Sequence, residues 1–195
     1  MFDLFSPSRR RELDTLTTRY GVPLTRLAEL SGAPFHPVHP DYPNRAEVCL
    51  VIRRPSGTLL TAIKPFYPPG AYRLPTGGIE SGESVLPAVL RETREETGLE
   101  VTVERFLAAI AYPRATERVF DTFAFLLDER GGVLASHDPH EPQEFREVAP
   151  DQLPDIARNL EALPDRYEDH IKGSWRDWGR FRAIVHRVVH EALSS

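Results

Sequence analysis

Several features that would point to particular protein classes are missing from this 195-residue chain. It has one cysteine, Cys49, so it cannot form an intrachain disulfide. No apolar run reaches the ~18 residues of a membrane-spanning helix, and the N-terminus lacks the apolar core of a signal peptide. The net charge is −5, from 24 basic and 29 acidic residues, which disfavours broad binding to nucleic acids or anionic membranes. We therefore predict a cytoplasmic protein that binds neither, with Cys49 as a buried core thiol.

Apolar patterns typical of strands and helices follow one another along the chain, which predicts an α/β (α+β) sandwich with a mixed β-sheet. We expect residues 1–45 to be an N-terminal helical extension and linker, residues 46–165 the main domain, and residues 166–195 a C-terminal helix that packs on it. The predicted strands are 46–54, 58–64, 101–112, 118–128 and 144–148, and the predicted helices after the acidic segment are 149–163 and 174–193.

The N-terminal extension is expected to contain two short helices. Ser6 and Pro7 form a helix start, and Gly21 ends that helix. Pro23 can start a second helix, because Leu24, Leu27 and Leu30 have helical spacing. We predict a helical hairpin that packs on the main domain. A helix-turn-helix is disfavoured, because a third helix is missing and the exposed charges are mixed.

The most informative stretch is GGIESGESVLPAVLRETREETGLE, residues 77 to 100, which contains six glutamates. Ser84 is a good N-cap and Gly98 a good helix-ending residue, so a helix is predicted over 85–97. At about 100° per residue, Glu92, Glu95 and Glu96 fall within an arc of about 100°. A separate stripe is predicted to face the core, and it consists of Leu86, Leu90, Thr93 and Thr97.

Helix stability alone gives little reason for these three acids to lie together. Like charges at this spacing repel, and the helix dipole disfavours Glu95 and Glu96 in the last turn, although Arg91 can pair with Glu95. One explanation is a solvated charged face. A hard divalent cation such as Mg²⁺, which prefers oxygen ligands, explains the arrangement better.

The wider spacing resembles the Nudix box of the Nudix hydrolase family. Gly77 is followed after five residues by Glu83 and, after seven more, by Arg91-Glu92; then come Glu95-Glu96, Gly98 and Leu99. Two residues depart from the usual pattern. Thr93 replaces an aliphatic residue, and Thr76 stands where many relatives have glycine. The resemblance covers these 23 residues directly, and the order of elements over about 46–165 fits the Nudix α/β/α sandwich.

This resemblance implies an enzyme that hydrolyses a nucleoside diphosphate linked to another moiety, with water attacking a phosphorus atom. It implies Mg²⁺ or Mn²⁺ as the cofactor and a small nucleotide as the substrate. By position, Arg91 resembles the residue that orients a box glutamate, while Glu83 and Gly98 support the motif. The implied metal ligands are the carboxylates of Glu92, Glu95 and Glu96 and the carbonyl of Gly77.

The general base in this family often comes from outside the box. The loop HDPHEPQEFREV offers Glu144 as the first choice and Glu141 as the second, and either is equally explained as an acid at the rim. Three cations outside the box, Lys64, Arg53 and Arg73, are candidates for binding substrate phosphates or are simply solvated.

Two further patterns lie outside the box. Tyr112-Pro113 is similar to a feature that ADP-ribose-type members have after the box, and weakly favours such a substrate. His186 and His190 have a spacing that can bind zinc, but two histidines on a solvated helix face explain it better.

Two other functions remain open: a catalytically silent nucleotide-binding regulator on the same fold, and a metal-dependent isomerase on a related fold. The intact box disfavours the regulator, because a sensor need not keep every acid. A homodimer is common in the family, although nothing in the sequence indicates one.

Overall fold

The fold is built around one seven-stranded mixed sheet. The computed structural model describes residues 5–30, 32–40, 45–114, 117–136 and 143–195. The helices are α1 (Pro7–Tyr20), α2 (Val85–Thr97), α3 (Leu153–Glu161) and α4 (Trp175–Leu193). The strands are β1 (Leu24–Leu27), β2 (Ala46–Arg53), β3 (Leu59–Ile63), β4 (Thr76–Gly78), β5 (Leu99–Arg114), β6 (Glu117–Gly132), β7 (Glu144–Val148), β8 (Tyr167–Glu168) and β9 (Gly173–Ser174).

The sheet order is β1-β5-β6-β2-β3-β7, and β4 pairs with β2. The β1–β5 and β2–β6 pairs are parallel and the other pairs are antiparallel, which confirms the predicted mixed sheet. The separate β8–β9 pair forms a two-stranded hairpin just before α4. In the described ranges, no helix is both long and apolar enough to cross a membrane.

Alternate side chains of β2 point into two different hydrophobic cores. Val48, Leu50 and Ile52 join a core with side chains of α1 and α2. Cys49 and Val51 join a second core with side chains of α3 and α4. Because successive strand residues point to opposite faces, the sheet lies between two helical layers. Cys49 is fully buried, as predicted, and burial raises the pKa of its thiol well above the usual range.

The second helix of the predicted N-terminal hairpin was wrong. The structure has one helix, α1, followed by the edge strand β1, which pairs in parallel with residues 108–111 of β5. The leucine spacing was ambiguous over so short a stretch, and Leu27 is 60% exposed rather than packed. Hydrogen bonds to β5 outweigh the weak helical pattern.

The helix predicted over 85–97 is confirmed, but its buried face is rotated from the predicted stripe. Leu90, expected in the core, is 45% exposed, whereas Glu92, expected outside it, is only 8% exposed. The buried residues of α2 are Val85, Ala88, Val89, Glu92, Thr93 and Thr97. One acid of the cluster is therefore held between the helix and the sheet.

Candidate metal and substrate site

Arg91 lies at the centre of the carboxylate cluster on α2. Its Nη1 donates to Glu92 at 2.8 Å and to Glu95 at 2.9 Å. Its Nε and Nη2 donate to the two oxygens of Glu83 at 2.9 and 2.7 Å, and Nη2 also donates to the carbonyl of Gly78 at 2.8 Å. All five guanidinium N–H groups are therefore used. These bonds raise the pKa of Arg91, and Arg91 lowers the pKa of Glu83.

Glu92 is the buried carboxylate of the cluster. Burial raises its pKa to about 7; Arg91 opposes this rise, while Glu96 and Glu95 add to it. The positive charge of Arg91 therefore does not fully offset the effects of burial and of the neighbouring acids on the pKa of Glu92. A cation placed beside Glu92 would favour its ionised form.

Gly77 allows the main chain to approach Glu92 closely. A Cβ atom built on Gly77 would lie 1.9 Å from the Glu92 carboxyl carbon, closer than two such atoms can approach. Gly77 belongs to β4, which pairs with β2 through Val48. Hence the glycine that begins the box places its main chain directly against a box glutamate.

The other two acids have different environments. Glu95 is exposed apart from its bond to Arg91. Glu96 accepts a hydrogen bond from the Nε2 of Gln143, which lies immediately before β7. Sequence reasoning missed Gln143, although it is the next residue before the first-choice base Glu144. The segment before β7 therefore does reach the acid cluster, through an amide.

The structure places Glu144 beside Tyr72, whose hydroxyl donates a hydrogen bond to it. Arg146, two residues along β7, lies over the same tyrosine ring, 5.7 Å from its centroid. Because alternate strand residues share a face, Glu144 and Arg146 point away from the face to which Gln143 belongs. The second-choice base, Glu141, lies outside the described residues.

The donor chemistry around α2 fits a hard divalent cation. The nearby groups are carboxylate oxygens and the main chain at Gly77. The total negative charge of the carboxylates exceeds the single positive charge of Arg91. Among the described His, Cys, Asp and Glu side chains, no group of three is already gathered to hold a metal ion. Arg91 instead bonds to Glu83, Glu92 and Glu95, and Gln143 bonds to Glu96.

A cavity of about 200 Å³ opens beside Gly77 and Gly78, on the α4 side of the sheet. Two of the predicted phosphate-binding cations, Lys64 and Arg73, line it. The other lining residues are His36, Pro37, Glu47, Tyr67, Thr76, Phe120, His170, Ile171, Trp178 and Arg182. This cavity is therefore adjacent to the first residues of the box.

Arg73 is buried, and its guanidinium is already well supplied with partners. It donates to the Tyr67 hydroxyl at 3.2 and 3.1 Å, to the Leu74 carbonyl at 2.9 Å and to the Thr76 hydroxyl at 3.1 Å. This network holds Arg73 in the cavity wall. Its positive charge remains next to the box.

Arg53, by contrast, is not brought to the cavity. It forms a two-point ion pair with Asp128, at 2.8 and 3.1 Å. It lies five residues beyond Val48 on β2, which is about 16 Å along the strand. The structure therefore separates Arg53 from Lys64 and Arg73.

Glu47 and Arg182 form a buried ion pair at the cavity. Nη1 of Arg182 lies 2.7 Å from both oxygens of Glu47, and the Thr122 hydroxyl donates to Glu47 at 2.9 Å. Arg182 belongs to α4, so the C-terminal helix supplies part of the cavity wall.

His186, predicted on a solvated face, is instead fully buried. Its Nδ1 lies 2.7 Å from the Arg182 carbonyl, and its Nε2 accepts from the Leu74 N–H at 3.0 Å. These two partners require the neutral ring with hydrogen on Nδ1, and burial lowers its pKa to about 4. The prediction failed because α4 packs that face against the strand region before β4.

Tyr112 is a core residue. It is almost fully buried, and its ring lies 4.9 Å from that of Phe181 and 6.4 Å from that of Phe120. Its side chain therefore gives no direct contact for a substrate.

Comparison with known proteins identifies the class. The NUDIX domain matches residues 43–169, so this chain belongs to the Nudix family. Members of this family generally use divalent metals such as Mg²⁺. The match includes α2 and every residue bonded to Arg91, whereas α1, β1 and α4 lie outside it.

Three curated relatives have different names. The chain is 35% identical over 99 residues to an ADP-ribose pyrophosphatase of Methanocaldococcus jannaschii, covering 50% of this chain and 57% of the relative. It is 30% identical over 103 residues to an RNA pyrophosphohydrolase of Erythrobacter litoralis, covering 44% and 63%. It is 30% identical over 125 residues to the NAD-capped RNA hydrolase NudC of Stutzerimonas stutzeri, covering 64% and 41%. The chain thus spans less than two thirds of each relative.

Solved structures with a similar fold include a UDP-X diphosphatase, with 18% identity, a TM-score of 0.48, and coverage of 97% of this chain and 73% of that one. Another is an ADP-ribose pyrophosphatase from Streptococcus suis, with 18% identity, a TM-score of 0.46, and coverage of 78% and 93%.

Proposed function

We propose that this protein hydrolyses the pyrophosphate linkage of a nucleoside diphosphate joined to another moiety, using Mg²⁺ or Mn²⁺. The observation that carries this proposal is the cluster of glutamates around Arg91, packed directly against Gly77. Stability does not require such a surplus of acid, whereas binding a divalent cation does.

Glu92, Glu95 and Glu96, with the carbonyl of Gly77, would hold the cation. When bound, the metal would supply positive charge for the diphosphate and lower the pKa of a bound water. Arg91 orients Glu92 and Glu95 through direct hydrogen bonds, and Glu83 in turn holds Arg91. Gly98 supports the motif by ending α2 in the left-handed conformation, with φ of 68°.

The cavity beside Gly77 and Gly78 would hold the part of the substrate that adjoins the diphosphate. Binding cavities for whole drug-sized ligands are typically ~300–1,000 Å³. The cavity of about 200 Å³ is smaller, so it suits one moiety rather than the complete substrate. Lys64 and Arg73 would attract the phosphate end.

A small nucleotide such as ADP-ribose or another nucleotide sugar is our proposed substrate class. One relative is named as an ADP-ribose pyrophosphatase, while others are named for action on RNA. The net charge of −5 favours the small nucleotide, because RNA binding usually relies on an excess of basic residues.

The general base is proposed to come from the segment that ends at Glu144. Glu144 keeps that assignment only if it leaves Tyr72, its present partner. Glu141 is the second proposal. Replacing each with glutamine and recording kcat against pH separates the two, since only loss of the true base should remove the pH dependence of the acidic limb.

A substrate screen tests the proposed function. Nucleoside triphosphates, ADP-ribose, dinucleoside polyphosphates and NADH should each be incubated with Mg²⁺ and with Mn²⁺, and the products separated by chromatography. We expect metal-dependent cleavage of at least one compound at its pyrophosphate linkage. Binding without cleavage would favour the nucleotide-binding regulator, and no phosphate release from any compound would favour the regulator or the metal-dependent isomerase.

A further inference from the structure

The N-terminal helix α1 reaches the start of α2 through one side chain, that of Glu12. Oε1 of Glu12 accepts a hydrogen bond from the main-chain N–H of Val85, the first residue of α2. Its other oxygen accepts from Nη1 of Arg9 at 2.6 Å. Helix α1 lies outside the residues 43–169 that match the family, so the match gives Glu12 no role.

The first main-chain N–H groups of α2 have no partner within the helix, and the preceding serine does not cap them. A serine at the N-cap normally accepts from the N–H of the second or third helical residue. The third residue here is Pro87, which has no N–H. Among the residues that the structure describes, the Ser84 side chain has no capping partner. Glu12 supplies both an acceptor and a negative charge where the helix dipole favours one.

Glu12 is presented from a firmly packed helix. Leu13 and Leu16, on the same helix, are buried in the core shared with α2. The guanidinium of Arg9 lies over the ring of Phe123 in β6, 5.4 Å from its centroid. The position of the Glu12 carboxylate is therefore fixed relative to the sheet as well as to α2.

Anything that fixes the first turn of α2 also affects its acids. At 1.5 Å per residue, Glu92 lies about 10 Å and Glu96 about 16 Å along the axis from Val85. Glu92 already lies so close to Gly77 that not even a Cβ atom would fit between them. A small shift of the helix would change this contact and the spacing of the carboxylates.

We propose that Glu12 is a positioning residue: it caps α2 from outside the family-matched segment and holds the box glutamates where they bind the divalent metal. This inference rests on the proposed function for its metal-binding part. Its capping part depends only on the contact with Val85.

The test compares Glu12→Ala and Glu12→Gln with the control Asp14→Asn, which alters an exposed carboxylate on the same helix. Mn²⁺ binding is measured by electron paramagnetic resonance, and exchange of the Val85 and Leu86 amides by hydrogen–deuterium exchange. Loss of a helix cap typically lowers the equilibrium constant for forming the helix start about fivefold. Glu12→Ala should therefore bind Mn²⁺ about fivefold more weakly and exchange those amides about fivefold faster. Glu12→Gln keeps an acceptor for the Val85 N–H and should show a smaller effect in both measurements.

Several results would overturn the proposal. Unchanged Mn²⁺ affinity in Glu12→Ala would exclude the positioning role, and so would an equal loss in Asp14→Asn. If Glu12→Ala does not fold, the test uses Glu12→Gln, and unchanged Mn²⁺ affinity and amide exchange in that variant would exclude the positioning role. If the wild type itself binds no Mn²⁺, the proposed function fails. The capping role is tested separately, and unchanged exchange of the Val85 amide in Glu12→Ala would reject it.

Discussion

The two faces of the sheet use arginine and glutamate differently. On the α4 face, Arg182 meets one carboxylate, Glu47, and both side chains are buried. On the α2 face, Arg91 donates to three carboxylates, and Glu96 lies nearby with a different partner. The first pair is balanced in charge and suits a structural role. The second group has a surplus of acid, and we infer that a metal cation completes it.

The largest effect on activity is expected from a substitution on the α2 face. We expect Glu96→Gln to lower kcat by a hundredfold or more, roughly 3 kcal/mol, because it removes a proposed metal ligand while preserving side-chain shape. Steady-state hydrolysis at saturating metal measures this change. Glu100→Gln is the matched control, since Glu100 is exposed and lies outside the fixed positions of the box. Near-normal turnover in Glu96→Gln would show that Glu96 is not a ligand.

On the balanced face, Arg182→Met should mainly affect stability. It leaves the Glu47 carboxylate buried without its partner, which typically costs about 3 kcal/mol of unfolding free energy. Urea denaturation followed by circular dichroism measures this cost. Adding Glu47→Gln should recover part of the loss, because the orphaned charge is then removed. If the single variant is as stable as the wild type, the ion pair does not have the structural role inferred for it.

Gly77→Ala tests the contact between the main chain and the buried acid. The added Cβ would overlap the Glu92 carboxyl group, so that group must move. We expect kcat to fall by about tenfold or more, as when the support of a metal ligand is lost. Gly131→Ala is the control, because its Cβ would meet only ordinary contact at 3.5 Å. Equal activity in both variants would contradict the close approach.

His186 gives the smallest expected effect, through pH. Its folded pKa of about 4 lies below the unfolded value of about 6.5, so the unfolded state binds more protons between these values. The contribution of His186 to the unfolding free energy should therefore be full well above pH 6.5 and fall as the pH drops toward 4, by about 1.4 kcal/mol at pH 5.5. Denaturation at pH 8 and pH 5.5 measures this, and His186→Gln should lose less stability on acidification. An equal pH dependence in the variant would reject the buried neutral histidine.

Strong local patterns were predictable from the sequence. Ser84 and Gly98 mark the two ends of the helix predicted over 85–97, and these boundaries match the observed Val85–Thr97, although the Ser84 side chain makes no capping bond. The long strands β2, β5 and β6 were also found, because their apolar runs are long. The division into residues 1–45, 46–165 and 166–195 stays a prediction.

Features that depend on tertiary contacts were not predictable. Strand β4 has only three residues, two of them glycine, so it has no apolar pattern. Burial of His186 depends on Leu74, which is 112 residues away in sequence. Gln143 and Glu144 are neighbours in sequence, yet Gln143 bonds to Glu96 whereas Glu144 bonds to Tyr72. Single-sequence patterns do not contain these long-range choices.

Direct binding of Mn²⁺ to the wild type and to Glu96→Gln, followed by electron paramagnetic resonance, tests the central claim most directly. We predict that the wild type binds Mn²⁺ and that Glu96→Gln binds it at least tenfold more weakly, with an unchanged circular dichroism spectrum. Equal binding by the two proteins, or no binding by either, would contradict a metal site among the glutamates of α2.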